Sequence, residues 1–258
     1  MILYFTGTGN SRFVANYLAR QLKDQTLSLN DIFREGAPRA FASQAPFVLV
    51  APIYAWRLPE KVEQFLAQAR FTGSTKFYLV ATMGDSFGNA AKYVQKILKK
   101  KGLEDMGMAG VVMPDNYLVS YPMPSLEEAV TLIRTSLPQM DQIAQAIAAQ
   151  KPLPPPPSTA MGKLLSGPVN WGFSRFMATS KSFTVSERCI QCGRCIAACP
   201  TKNIVLQGKS IAFGDRCMFC LGCIHRCPVH AIDYKGKAKR HGCYLCPPEE
   251  QILPQQDK

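Results

Sequence analysis

Cysteine is missing from the first 188 of the 258 residues; all ten lie between Cys189 and Cys246. Neither a disulfide framework nor a thiolate metal site can therefore form in the front part of the chain. Long apolar runs are missing too. The longest, Ala45–Trp56, spans twelve residues and contains two prolines, too short and too broken to cross a bilayer. A Gly-rich turn follows the first five residues, which leaves no room for the apolar part of a secretion signal, so a cytoplasmic location is expected. Acidic residues are scarce in the second half: residues 1–150 carry 15 Lys/Arg against 12 Asp/Glu, residues 151–258 carry 15 against 6. With 47% hydrophobic and 19% charged residues, the chain is neither disordered nor collagen-like.

The first 150 residues alternate strand and helix. Ile2–Phe5, Thr26–Leu29, Phe47–Pro52, Lys76–Thr82 and Ala109–Pro114 read as strands. Arg12–Lys23 has Val14, Leu18 and Leu22 on one face, and Pro59 suits the start of a helix that buries Val62, Phe65, Leu66 and Ala69. Ala90–Lys101 is helical and stops at Gly102. Ser125–Glu128 forms a capping box that opens a helix to about Gln150, with a bend expected at Pro138. The alternation predicts an α/β domain, a doubly wound five-stranded parallel sheet with its ligand at the carboxyl ends of the strands.

Lys151–Pro157 reads KPLPPPP, an extended spacer. Residues 158–183 follow and are too apolar for a solvated linker. Trp171, Phe173 and Phe176 are expected to dock the C-terminal part onto the first domain, unless the segment only covers that part's small core. Residues 184–236 contain a duplication: CIQCGRCIAACP (Cys189–Pro200) matches CMFCLGCIHRCP (Cys217–Pro228). Residues 237–258 are basic, then Pro- and Gln-rich, and read as a partly mobile tail.

Each copy is C-x2-C-x2-C-x3-C-P. Three closely spaced cysteines serve one cubane and the fourth crosses to the other. This places Cys189, Cys192, Cys195 and Cys227 on one [4Fe–4S] cluster and Cys217, Cys220, Cys223 and Cys199 on a second. Gly193 and Gly222 allow close backbone approach. Zinc is the competing reading, but zinc motifs pair two cysteines with a distant second pair. The segment resembles a bacterial two-cluster ferredoxin, a small α+β domain, over about residues 182–236. Two cubanes, each about −2 when oxidised, would offset much of the basic excess. The cations near the ligands serve either the clusters or a docking face for partner proteins. They are not interleaved with stacking aromatics as in nucleic-acid readers.

Ile2–Phe5 runs straight into Thr6-Gly7-Thr8-Gly9-Asn10-Ser11 and then a helix, a layout in which N–H groups and hydroxyls converge on an anion. No Lys follows the glycines, so it is not a Walker loop, and Arg12 stands where a dinucleotide fingerprint has its third glycine. The form T-x-T-G-x-S resembles the FMN-phosphate loop of flavodoxins. That resemblance, over roughly residues 1–150, implies two loops around the flavin ring. One contains Pro52, Ile53, Tyr54, Ala55 and Trp56, with Tyr54 and Trp56 as stacking aromatics. The other contains Met83, Gly84, Asp85, Ser86, Phe87 and Gly88. Trp56 alone also reads as ordinary packing. Arg57 departs from the flavodoxin pattern and would set a cation near the ring.

Domain order, APIYAW (Ala51–Trp56) and MPDNY (Met113–Tyr117) resemble the fused flavodoxin-domain/ferredoxin-domain iron–sulfur flavoproteins of anaerobic bacteria and archaea. The resemblance implies FMN, two [4Fe–4S] clusters, and electron transfer between one-electron carriers, such as ferredoxin-like proteins, and a two-electron partner. An enzyme with its own small-molecule acceptor at the flavin, with Asp85, Tyr54, Tyr117 and Arg57 as candidate groups, is the second reading. Redox sensing or cluster carriage is the third. Cys243 and Cys246 form a separate C-x2-C: a redox dithiol, half of a shared metal site, or inert thiols in a turn.

Overall fold

The computed structural model describes residues 1–36, 40–154 and 160–253. In chain order the first part contains β1 (Ile2–Tyr4), α1 (Asn10–Leu22), β2 (Thr26–Ser28), α2 (Leu29–Glu35), β3 (Ala40–Ser43) and β4 (Phe47–Pro52). Then come α3 (Glu60–Gln68), β5 (Arg70–Gly73), β6 (Lys76–Met83), α4 (Ala90–Lys100), β7 (Glu104–Val112) and α5 (Leu126–Ala148). Five strands form one parallel sheet in the order β2-β1-β4-β6-β7. This is the doubly wound sheet expected from the sequence, with its order reversing beside β1.

Alternation along each strand explains the two layers. Ile2, Val48, Val50, Tyr78 and Val80 face a core built with α1 and α5. Leu3, Phe5, Leu49, Ala51, Leu79 and Ala81 face the opposite core, built with α3 and α4. α5 starts with the capping box of Ser125 and Glu128 and continues through Pro138 to Ala148. β7 begins at Glu104, five residues before the expected strand, because its exposed start carries charges rather than an apolar run. A small parallel pair, β3 with β5, lies apart from the main sheet and packs Phe41 and Phe71 on Phe47 and Phe65; sequence reading did not anticipate it.

The spacer begins against this domain. Leu153 is buried and its N–H bonds to Met106 O; Pro155–Pro157 of the predicted spacer lie outside the described residues. Residues 160–177 form one helical run with two π-type stretches, Leu165–Val169 and Phe173–Met177.

The cysteine-rich part has its own core of Phe183, Ile204, Ile211, Phe219, Leu221, Ile224, Ile232 and Tyr234, joined by Leu118 of the first domain. Its strands pair as two short antiparallel ribbons, Phe183–Val185 with Ile232–Tyr234 and Ile204–Gln207 with Ser210–Phe213. The duplication is written in the backbone. Gln191, Gly193 and Lys202 take left-handed conformations, and so do Phe219, Leu221 and His230, each 28 residues later. Leu221, not Gly222, therefore fills the left-handed place of Gly193.

Residues 237–253 pack back onto the molecule instead of trailing from it. Tyr244 and Ile252 are buried, and Arg134 on α5 donates to the carbonyls of Gln251 and Ile252. The composition that suggested mobility is basic and proline-rich, yet it carries these two large apolar anchors.

Candidate functional site: a cavity at the strand ends walled by the cysteine loops

The carboxyl ends of β1, β4, β6 and β7 open into a cavity of about 750 Å3, a volume suited to a cofactor. Thr6, Gly7, Thr8, Asn10 and Ser11 line one end. Pro52, Ile53, Tyr54, Ala55 and Trp56 line one side, and Met83, Gly84, Asp85 and Ser86 another. Of the residues expected here, Gly9, Phe87 and Gly88 lie outside the wall. Gly88 is instead pressed under Trp56 and Ser166, and Phe87 packs in the core toward Gly110.

The glycine loop is braced from every side. Thr6 Oγ1 accepts from Gly9 N–H (2.9 Å), and Asn30 clamps both the N–H and the carbonyl of Thr6. Ser11 Oγ bonds to Thr82 Oγ1 (2.7 Å), and Asn116 Nδ2 donates to Thr8 Oγ1 (2.7 Å). The first N–H groups of α1 have no acceptor within the helix and sit behind this loop. Hydroxyls and free N–H groups at one end, aromatic and apolar surface at the other, fit the phosphate and ring of FMN.

Most of the remaining wall comes from residues that the sequence did not single out as contacts. Met113, Pro114, Asp115, Asn116 and Tyr117 follow β7, with Ser120, Tyr121 and Leu132 beyond; of MPDNY, only Tyr117 was a candidate group at the flavin, and the rest was a family-like stretch. Val169, Phe173 and Met177 from the helical run, and Phe219, Cys220 and Leu221 from the second cysteine repeat, close it. Apart from Tyr117, the docking candidate Phe173 and the ligand candidate Cys220, no local sequence signal marks these residues, because each reaches the cavity through tertiary packing. Burial pushes the Tyr117 hydroxyl up to about 12, so it stays protonated.

Two expectations about this wall change. Arg57 does not approach the ring: its guanidinium pairs with Glu63 and stacks on Tyr93, 3.8 Å from the ring centroid. The charged groups that do line the cavity are the carboxylates Asp85 and Asp115. Likewise, of the three residues expected to dock, Phe173 lines the cavity, whereas Trp171 and Phe176 are 65% and 68% exposed and pack edge-to-face on each other. The helical run is held instead by Asn170, which donates to Tyr54 O and Ala55 O, and by Ser166, which donates to Trp56 O and accepts from Asn89 N–H. Phe173 adds an edge contact with Phe219 of the cysteine-rich part.

The cysteines gather in two sets. Cys189 and Cys227 lie close enough to Cys195 for their charges to act on it. Cys220 and Cys199 act on Cys217 in the same way, and Cys223 feels Cys220, Cys217 and Cys199 and, least of the four, Cys195 of the other set. Cys192 is exposed. The fourth cysteine of each repeat accepts a backbone N–H from four residues on: Cys199 from Asn203 and Cys227 from Ala231, both at 3.2 Å. Burial raises Cys195, Cys217, Cys220 and Cys223 above the usual thiol range. Thiolates here need cationic metal beside them, which suits an iron–sulfur donor set.

The two parts meet at the glycine loop. A Cβ on Gly7 would stand 2.7 Å from Cys220 O and 2.9 Å from Tyr54 Oη, so no side chain fits between the glycine loop and the second cysteine repeat. Arg226 donates to Gly7 O. On the other side Cys246 N–H bonds to Thr8 O (3.0 Å), and a Cβ on Gly9 would meet Cys246 Cβ at 2.8 Å. A buried polar chain completes the seam. Tyr244 Oη donates to Asn10 Oδ1 (2.7 Å), Asn10 Nδ2 donates to Pro114 O, and Tyr244 N–H donates to His225 Nδ1. His225 therefore carries its proton on Nε2 and gives it to Asn116 O (2.9 Å). Burial lowers its pKa to about 4, so it is neutral.

Residues 1–123 match the family model described as a flavodoxin domain, and residues 188–231 match that described as a 4Fe-4S dicluster domain. The chain is a flavodoxin domain fused to a 4Fe-4S dicluster domain. The flavodoxin domain implies FMN and the dicluster domain implies 4Fe-4S iron–sulfur chemistry, which together give the chain an FMN and iron–sulfur redox role. Among solved structures, two-electron reduced Megasphaera elsdenii flavodoxin is similar at 18% identity, covering 58% of this chain and 99% of that one, with a TM-score of 0.34. A flavodoxin, WrbA-like protein from Agrobacterium tumefaciens is 15% identical over 58% and 97% of the two chains (TM-score 0.33). Rubredoxin oxygen:oxidoreductase from the anaerobe Desulfovibrio gigas is 15% identical over 58% and 36% (TM-score 0.33). No curated protein matches the chain. Among the described residues, no helix is long and apolar enough to cross a membrane.

Proposed function

We propose that the chain is an electron relay that links one-electron carriers to a two-electron partner through two [4Fe–4S] clusters and FMN. In this reading residues 1–150 hold FMN and residues 184–236 hold both clusters. The segment 151–183 joins and docks them, and 237–253 braces the joint. The observation that carries it is the shared wall: Cys220 lines the same cavity as Thr8, Ser11, Tyr54 and Trp56. When bound, FMN exchanges one or two electrons and a cubane one.

The chain's own residues do the rest. Thr6–Ser11 would hold the FMN phosphate, and Pro52–Trp56 with Met83–Ser86 would flank the ring. Cys217, Cys220, Cys223 and Cys199 would hold the cluster at the cavity wall. Cys189, Cys192, Cys195 and Cys227 would hold the outer one, where the exposed Cys192 faces carriers such as ferredoxin-like proteins. Phe173, Phe219 and Leu221 keep water from the space between the cavity and the inner set.

Anaerobic reconstitution tests this directly. About eight irons, eight sulfides and one FMN per chain are expected from two cubanes, and Cys192→Ala should lose half the iron while keeping FMN. Zinc without sulfide, or a full iron count in the variant, would sink the reading.

A second reading rests on the width of the cavity, whose far side is formed by Tyr117, Ser120, Tyr121, Val169 and Met177. In it a small-molecule acceptor meets the flavin there. One compound that reoxidises the reduced protein with saturation kinetics would favour this over the pure relay; acceptance by carrier proteins and dyes alone would exclude it.

A further inference from the structure

Tyr54 stands in a tight turn after β4, with its N–H on Arg57 O (2.8 Å) and its carbonyl held by Asn170 Nδ2. The turn fixes the ring, which forms part of the flavin cavity wall. The hydroxyl at its tip is buried and has no hydrogen-bond partner among the described residues. A buried donor left unpaired is costly, so an acceptor is expected in the loaded protein.

The surroundings point to the second cysteine repeat. The ring borders the flavin cavity, while the hydroxyl is closed off from open space. Its neighbours are Gly7 and Cys220, at the seam between the glycine loop and that repeat. Oη and Cys220 O both crowd the place of a Gly7 Cβ, at 2.9 and 2.7 Å. Tyr54 also lines a second cleft together with Cys217 and Met218. The charges of Cys220 and Cys217 act on the phenol, and burial keeps it protonated far above neutral pH. Gly7 O, an acceptor on the adjoining glycine loop, already receives Arg226.

We propose that the Tyr54 hydroxyl donates a hydrogen bond to a sulfur of the cluster held by Cys217, Cys220, Cys223 and Cys199. Tyr54 is then a positioning residue with two faces: its ring borders the flavin and its hydroxyl tunes the adjacent cluster. The inference rests on the two-cluster reading above. A donor aimed at a cluster sulfur stabilises the more negative, reduced form, so it makes that cluster easier to reduce. The other cluster has no such contact with Tyr54 and is left unaffected.

Tyr54→Phe removes the hydroxyl alone. Iron, sulfide and FMN contents are counted first, so that potentials are compared between fully loaded proteins. In a redox titration followed by electron paramagnetic resonance, one cluster should become harder to reduce, by about three- to tenfold in its reduction equilibrium. Tenfold is about 59 mV for a one-electron couple. The second cluster and the flavin should keep their potentials. In the unaltered protein, transfer to D2O should remove a strongly coupled proton from the electron–nuclear double resonance spectrum of the shifted cluster, and Tyr54→Phe should lack that coupling. Unchanged cluster potentials would overturn the proposal. So would a shift confined to the flavin, which would place the acceptor on the ring, or equal shifts of both clusters. If the variant does not load, the unaltered protein decides, and absence of an exchangeable coupled proton overturns it. Failure of the underlying reading is separate and visible at the first step, as missing iron or sulfide in the unaltered protein.

Discussion

Replacing Tyr244 by Phe should weaken FMN binding although Tyr244 lies outside the cavity wall. Its hydroxyl is the donor to Asn10 Oδ1, and both residues are buried, at 4% and 7% exposure. Asn10 is the first residue of α1 and a wall residue of the cavity, and its amide ties the glycine loop to Pro114 O. Phenylalanine fills the same space, so no void opens, but Asn10 Oδ1 loses its donor where water cannot replace it. Such an orphaned acceptor costs about 1–3 kcal/mol. If the cost falls on the arrangement that binds the phosphate, affinity drops by about 5- to 150-fold. Titration of the apoprotein with FMN, followed by quenching of flavin fluorescence, measures it. Tyr244→Phe with the affinity of the unaltered protein would refute the idea that the C-terminal segment supports the phosphate loop. An equal loss in a control such as Arg134→Ala, which frees only the end of that segment from α5, would show that the effect is general loosening.

Three further outcomes follow from contacts already described. Trp171→Ala and Phe176→Ala should leave FMN content and cluster-to-flavin transfer rates unchanged, whereas Asn170→Ala, which frees Tyr54 O and Ala55 O, should slow transfer in anaerobic rapid mixing; the reverse pattern would refute the assigned contacts. Burial raises the Glu63 pKa above 4.5 even though Arg57 pulls it down. A folded-state acid pKa that is raised gives stability that is full below pH 4.5 and lost as pH rises through the folded value. Arg57→Ala should enlarge the raise, so its destabilisation in chemical denaturation should be greater at pH 7.5 than at pH 4.5; equal losses would contradict this. Burial pushes both Cys243 and Cys246 up to about 11, so neither thiol should react with iodoacetamide at pH 7 in the loaded protein. Rapid labelling of either, read by mass spectrometry, would favour a redox dithiol instead.

What could be read in advance follows from the range of the interactions. The sheet was legible because a strand covered on both faces, such as Phe47–Pro52, must be continuously apolar, and all six residues are buried. The cysteine repeats were legible because cluster ligation imposes a spacing. The place of the glycine loop at the cavity was legible because small residues run straight from a strand into a helix at the carboxyl end of the sheet. The rest of the cavity was not, since Asn116, Phe173 and Cys220 come from distant stretches and have no shared pattern. Arg57 misled because charge is visible in sequence and its partners, Glu63 and Tyr93, are not. Trp171 and Phe176 misled for a related reason: apolar character shows that a residue can be buried, but the helical run turns Asn170 and Phe173 inward and leaves those two outside.

The seam at Thr8 and Asn10 also sets a schedule for biosynthesis. The sheet and its helices can close once α5 has left the ribosome, but the hydrogen-bond partners of the phosphate loop include Tyr244 and Cys246. Roughly 100 residues separate the two events, about 5–20 seconds of elongation. During that interval the nascent flavodoxin domain has its core and not its finished cradle. FMN capture on ribosome-bound chains should therefore strengthen sharply when arrest is moved from just after residue 200 to beyond the last residue, and the inner cysteine set, which roofs Gly7, is made within the same interval. Loading of the two kinds of cofactor is thus timed together by where their shared wall lies in the chain.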